Sequence, residues 1–319
     1  MRYMKYAGAL VSPKDMTAGT TFDASAETIF NRLVEFERGG TTVIPGLAEK
    51  WAISPDGLVY TFNLRKGVKF HTTEWFKPSR EFNADDALFS FDRMINKDNA
   101  FTKAAPASFE YADDMGLQSN IVKIDKPDAM TLRFTLKTAD AAFLANLAMS
   151  FASIHSAEYA DQLLKAGTAN DLNTKPVGTG PFVFRRYDKD AQIRYAAFEN
   201  HWRGKAQIDN LVFSITKDSA VRVQKLKAGE CQISSYPKPA EVEVLKKEDT
   251  SSYCASVAAS SAVASCVAAN STGSVSVVLS GVRLSSFLQL ENVMAPIRLN
   301  ARNHFEMFNV FFIKIKFKN

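Results

Sequence analysis

A chain of 319 residues with 46% hydrophobic and 23% charged side chains has the material for a sizeable core and the composition of an ordinary globular protein. Its net charge of +5 gathers at the end, where residues 251–319 carry six basic and two acidic side chains and leave 33 against 32 before them. No basic stripe interleaved with aromatics occurs in that near-neutral part, which argues against nucleic acid as a partner, and no run approaches the roughly 18 apolar residues of a membrane span.

The chain opens with Arg2 and Lys5 followed by a short apolar stretch over 6–11, less than the usual core of a secretion signal, so no working export signal is expected. Next comes Gly19-Thr20-Thr21-Phe22-Asp23, whose adjacent glycine and hydroxyl residues offer amides and hydroxyls to a polar ligand without using charge. The same residues also fit a turn whose hydroxyls bond their own backbone. Further along, Pro55-Asp56-Gly57 marks a turn, and Tyr60, Phe62 and Leu64 alternate with Thr61, Asn63 and Arg65 as a half-buried strand does. Similar alternation predicts strands at Leu132, Phe134 and Leu136 and at Leu211, Phe213 and Ile215.

Asn83 is a candidate cap for a helix with Asp85 and Asp86 in its first turn and an apolar stripe of Leu88, Phe91 and Ile95. Capping accounts for these three polar residues without a metal or acid–base site. A second helix runs from a Ser156 cap to Gly167, and a third from Ser219 to Gly229. Strands and helices alternate without a repeat, which predicts a mixed α/β protein.

Gly178-Thr179-Gly180 lacks the Lys-Ser/Thr of a phosphate loop and reads as a chain reversal entering a strand at 181–184. His71, His155, His201 and His304 have no second ligand at metal spacing, and Cys231, Cys254 and Cys266 match neither a zinc site nor a disulfide framework. There is no Gly-x-Ser-x-Gly elbow. No catalytic residue, metal ligand or cofactor is assigned, and the chain is not read as an enzyme.

After Thr250 the character changes. Residues 251–280 hold ten Ser, seven Ala, six Val and no charge, and residues 305–319 are rich in Phe, Ile, Lys and Asn. Neither piece shows caps or periodicity, so residues 251–319 are expected to form a disordered tail foreign to the fold, through a broken frame or as a low-complexity linker and anchor.

Four stretches together resemble the family 5 solute-binding proteins of ABC importers, in the dipeptide-binding and haem-binding branch. They are 19–25; the block from Ile44-Pro45-Gly46-Leu47-Ala48-Glu49-Lys50-Trp51 to His71; Phe82-Asn83-Ala84-Asp85-Asp86-Ala87 with Phe89-Ser90-Phe91; and Pro176-Val177-Gly178-Thr179-Gly180-Pro181-Phe182. The resemblance runs from about residue 17 to about residue 250. It implies a periplasmic-binding-protein-like fold of type II with only the first lobe and an inserted subdomain present: residues 1–31 and 179–250 in an incomplete first lobe, 32–178 in the subdomain.

The resemblance also implies a periplasmic location, a peptide or haem ligand, an ABC permease complex in the inner membrane as partner, and a ligand-facing role for Gly19, Thr20, Thr21, Phe22 and Asp23. In the dipeptide branch an Asp and an Arg that anchor the peptide ends belong to the second lobe and match no residue here. Impaired binding is therefore expected. The alternatives are a nonfunctional remnant of such a gene and the sensor domain of a transcription regulator, for whose DNA-binding motif residues 1–14 are too short.

Overall fold

The computed structural model describes residues 26–37, 40–107, 109–188, 191–235, 238, 240–241, 245, 254–257, 265–268 and 311–316. Two short strands, β1 (Val34–Phe36) and β2 (Val43–Pro45), pair antiparallel and lead into an antiparallel four-stranded sheet. Its strands are β3 (Ala48–Ile53), β4 (Val59–Leu64), β5 (Ile121–Asp128) and β6 (Thr131–Leu136), in the order β3-β4-β6-β5. The expected alternation is seen directly: Tyr60, Phe62 and Leu64 are buried, as are Leu132, Phe134 and Leu136, while their neighbours are not. The turn between β3 and β4 and the exit from β4 use Gly57 (φ 72°) and Gly67 (φ 75°), a backbone region that side chains strain to reach.

Helix α1 (Ala84–Ile95) packs on this sheet through Ala87, Phe91 and Met94. Asn83 Oδ1 accepts from the Asp85 amide (2.9 Å) and the Asp86 carboxylate accepts from the Asn83 amide (2.9 Å), a reciprocal capping box. Asp86 does more than its position in the chain suggests. It is fully buried, takes both guanidinium nitrogens of Arg80 at 2.7 and 2.8 Å, and accepts from the Ala157 amide at 2.8 Å. Burial raises its pKa, and Arg80 opposes that shift. One carboxylate thus ties α1 to the start of α2 (Ala157–Lys165), which Ser156 caps by accepting from the Tyr159 amide.

The remaining strands build a second sheet. β7 (Phe182–Asp188), β8 (Gln192–Ala197) and β9 (Asn210–Ile215) form an antiparallel meander, and α3 (Ser219–Lys227), capped by Asp218, crosses to β10 (Ile233–Ser235). β11 (Cys254–Val257), β12 (Ser265–Ala268) and β13 (Phe311–Lys316) complete a seven-stranded sheet of order β12-β11-β10-β13-β9-β8-β7. The tail expected over 251–319 lies largely outside the described residues; of it, these three segments are described, as strands of the sheet. β11 pairs with β10, β13 with β9 and β10, and β12 with β11, and such main-chain pairing rewards an extended segment whatever its composition.

Buried apolar side chains fall into two large clusters. The first draws on residues between Leu33 and Val177; the second on Ile29, Phe30 and residues between Phe182 and Ile215. Between them the chain runs main chain against main chain. A Cβ at Gly178 would lie 2.0 Å from the Ile29 carbonyl oxygen, and one at Gly180 would lie 2.5 Å from the Ile29 carbonyl carbon. Backbone cannot yield as a side-chain tip does. Gly178→Ala is therefore expected to lower unfolding stability by about 3 kcal/mol. Gly204→Ala, at φ +91° with nothing within 4 Å of the added carbon, is expected to cost only about 1 kcal/mol. Urea denaturation of the two variants checks the ranking.

Candidate functional site

Gly19, Thr20, Thr21, Phe22 and Asp23 lie outside the described residues. The chain that follows them is described from Ala26. Thr28 and Ile29 present carbonyls to the amides of Phe182 (3.0 Å) and Gly180 (2.8 Å), so the segment lies along the start of β7. Beneath it, His71 locks the Gly178-Thr179-Gly180 turn. Its amide donates to the Gly178 carbonyl (2.9 Å), its Nε2 meets the Gly180 carbonyl (2.8 Å), and the Gly178 amide donates to its Nδ1 (3.4 Å). That pattern requires the neutral Nε2–H tautomer.

Asn31 is the hub. Its Oδ1 accepts from Thr179 Oγ1 and Trp202 Nε1, both at 3.1 Å, its Nδ2 donates to Glu35 Oε1 (3.3 Å), and its carbonyl accepts from the Ile154 amide (2.9 Å). Glu35 is completed by Arg203 at 2.6 Å, and the Arg65 and Arg203 guanidiniums sit 4.4 and 4.2 Å from the centre of the Trp202 ring. Arg32 pairs with Glu27 at 2.8 Å. Burial pulls the Arg32 pKa down, yet the Glu27 and Glu35 carboxylates outweigh this and raise it overall.

The sequence reading did not find this network, because its partners lie 148 and 171 positions apart in the chain and no local spacing links them. A buried Asn with satisfied donors and acceptors is a rigid joint and carries no reactive group. Among the described residues no cluster of three His, Cys, Asp or Glu side chains is arranged to hold a metal ion, and no helix is long and apolar enough to cross a membrane.

The histidines give the platform a pH dependence. Burial lowers the His71 pKa to about 4, and burial likewise lowers those of His155 and His201. An unfolded histidine titrates near about 6.5. Below that pH the unfolded chain takes up protons the folded chain refuses, so the stability from neutral His71 is complete above about pH 6.5 and falls as the pH drops toward 4. The full His71 loss is about 3 kcal/mol. Urea midpoints are expected to be flat above pH 7 and to fall steeply between 6.5 and 4, with a shallower fall in His71→Gln. A midpoint independent of pH over that window would contradict this.

Comparison with known proteins gives this arrangement its family. The sequence model described as bacterial extracellular solute-binding proteins, family 5 Middle, matches residues 42–275, and so runs past the boundary expected near Thr250. The chain is 61% identical over 237 residues to Di/tripeptide-binding protein 1 of Pseudomonas aeruginosa, covering 74% of this chain and 44% of that protein. It is 47% identical over 237 residues to Heme-binding protein A of Haemophilus influenzae, covering 74% and 43%. The structure of the ABC transporter-associated periplasmic binding protein DppA from Helicobacter pylori in complex with the peptide STSA superimposes with a TM-score of 0.70 at 40% identity, covering 76% of this chain and 46% of that one. The chain thus spans less than half the length of the relatives it matches. With the family model matching residues 42–275, well over half of its length, the chain belongs to the family 5 bacterial extracellular solute-binding proteins.

Proposed function

We propose that this chain forms one wall of a capture site for a di- or tripeptide, or for haem, in the substrate-binding component of a periplasmic ABC importer, and that it works by binding without catalysis. The observation that carries the reading is the 61% identity over 237 residues to a di/tripeptide-binding protein. Gly19, Thr20, Thr21, Phe22 and Asp23 are the ligand-facing residues in this reading, offering amides and hydroxyls to a polar ligand. Support comes from the geometry just downstream, where Thr28 to Asn31 are pinned by main-chain and side-chain bonds. The permease complex in the inner membrane is the corresponding partner.

The same reading divides the chain into a first lobe (residues 1–31 and 179–250) and an inserted subdomain (32–178). The separation of the two apolar clusters at Phe30/Leu33 and Val177/Phe182 supports that division. Two-lobed binders capture ligand by hinge closure, so a wall alone pairs few of the ligand's polar ends and excludes little water. A micromolar binder has about −8 kcal/mol, and keeping half of that gives roughly millimolar affinity. Titration calorimetry with a dipeptide panel and with haem is therefore expected to show no saturable micromolar binding by this chain. A chimera continuing from about Lys238 into the remaining half of the Pseudomonas relative is expected to bind one of these ligands. Stoichiometric micromolar binding by the unmodified chain would overturn the division of labour.

A further inference from the structure

We infer that His155 is an acid-sensitive latch where helices α1 and α2 meet the segment that carries Asn31: neutral, it packs as an apolar ring, and protonated, it has no place in that packing. His155 is 1% exposed, and its ring centre lies 4.6 Å from that of Phe30. Its main chain is anchored. The His155 amide donates to Ser90 Oγ of α1 (2.8 Å), and the neighbouring Ile154 amide donates to the Asn31 carbonyl (2.9 Å). The ring itself makes no such bond: among the described residues neither Nδ1 nor Nε2 has a hydrogen-bond partner. That separates it from His71, whose two ring nitrogens both hold the Gly178-Thr179-Gly180 turn.

A buried imidazole without hydrogen bonds contributes nothing to the neutral fold that an apolar side chain of its size lacks. Its surroundings oppose the charged form. The charge that acts on it is another cation, Arg93 of α1, whose Nε and Nη2 also lack partners among the described residues. The Arg93 guanidinium carbon lies 5.5 to 5.9 Å from the ring centres of Phe89, Phe101 and Phe109. Burial lowers the Arg93 pKa only to about 10, so this side chain stays charged through the whole acid range. The carboxylates on the elements around His155 are committed elsewhere. On α1, Asp85 pairs with Lys126, Asp86 binds Arg80 and the Asn83 and Ala157 amides, and Asp92 accepts from Asn96 and Asn99. Glu158 of α2 accepts from the Ser79 amide, Glu27 pairs with Arg32, and Glu35 is held by Asn31 and Arg203. Burial first, and then the Arg93 charge, hold the His155 pKa well below its usual value. An exposed imidazole takes up its proton near about pH 6.5 and must release it before the junction closes, so acid favours the open form. Opening there breaks the bond between Ile154 and Asn31, and this response belongs to the fold whatever ligand the chain serves.

Amide hydrogen exchange on the full chain tests this, with the protection factor of Ile154 read relative to that of Ala197, which bonds to the Asp209 carbonyl in the second sheet. In the unaltered protein that ratio is expected to fall about twentyfold between pH 7 and pH 5, the change that protonation of one free imidazole in the open form imposes. His155→Leu fills the same space without the ring nitrogens. It is expected to be at least as resistant to urea as the unaltered protein at pH 7.5, and to hold the ratio within about twofold over the same pH range. A ratio independent of pH in the unaltered protein would overturn the inference. So would a Leu variant that fails to fold, unfolds at lower urea at pH 7.5, or loses Ile154 protection as steeply as its parent.

Discussion

The contact on which the rest depends is the bare main-chain packing of Thr28 to Asn31 against Gly178-Thr179-Gly180. With 2.0 Å between a would-be Cβ at Gly178 and the Ile29 oxygen, no side chain fits, and the approach in turn lets Gly180 and Phe182 donate to the Ile29 and Thr28 carbonyls. His71 secures the turn from the subdomain side, and its burial keeps it neutral, so that one ring nitrogen donates and the other accepts. Steric and hydrogen-bonding demands coincide here, which is what makes the joint specific rather than merely close.

From that joint the two apolar clusters follow as separate bodies with a shared seam. The subdomain core is closed by aromatic pairs such as Phe91 with Phe134 and Tyr60 with Phe143, and by the buried Asp86, which binds Arg80 and the starts of two helices. The second body is a sheet whose meander is local but whose centre depends on a strand from far along the chain. Asn31 crosses the seam with bonds to Thr179, Trp202 and Glu35, coupling residues from both sides.

Local order was legible where the chemistry is local. Period-two burial at Tyr60, Phe62 and Leu64, the Asn83 and Ser156 caps, and the turn at Gly57 all follow from neighbouring residues, and all are present. The four family motifs carried the fold and the family. What the sequence hid is long-range. Gly178 and Gly180 read as a chain reversal, whereas their lack of a Cβ is demanded by Ile29, some 150 residues away. The hub at Asn31 and the pairing of residues 311–316 in the sheet centre have no local signature, because backbone pairing does not depend on the composition that made residues 251–319 look unstructured. The site residues 19–23 were read from residue chemistry and resemblance, and the structure describes only the platform beside them.

Scanning calorimetry of the whole chain tests the joint most directly. If the main-chain seam and the Asn31 network bind the subdomain and the sheet into one cooperative body, unfolding gives a single transition with equal calorimetric and van't Hoff enthalpies. Two resolved transitions, one for each apolar cluster, would contradict it.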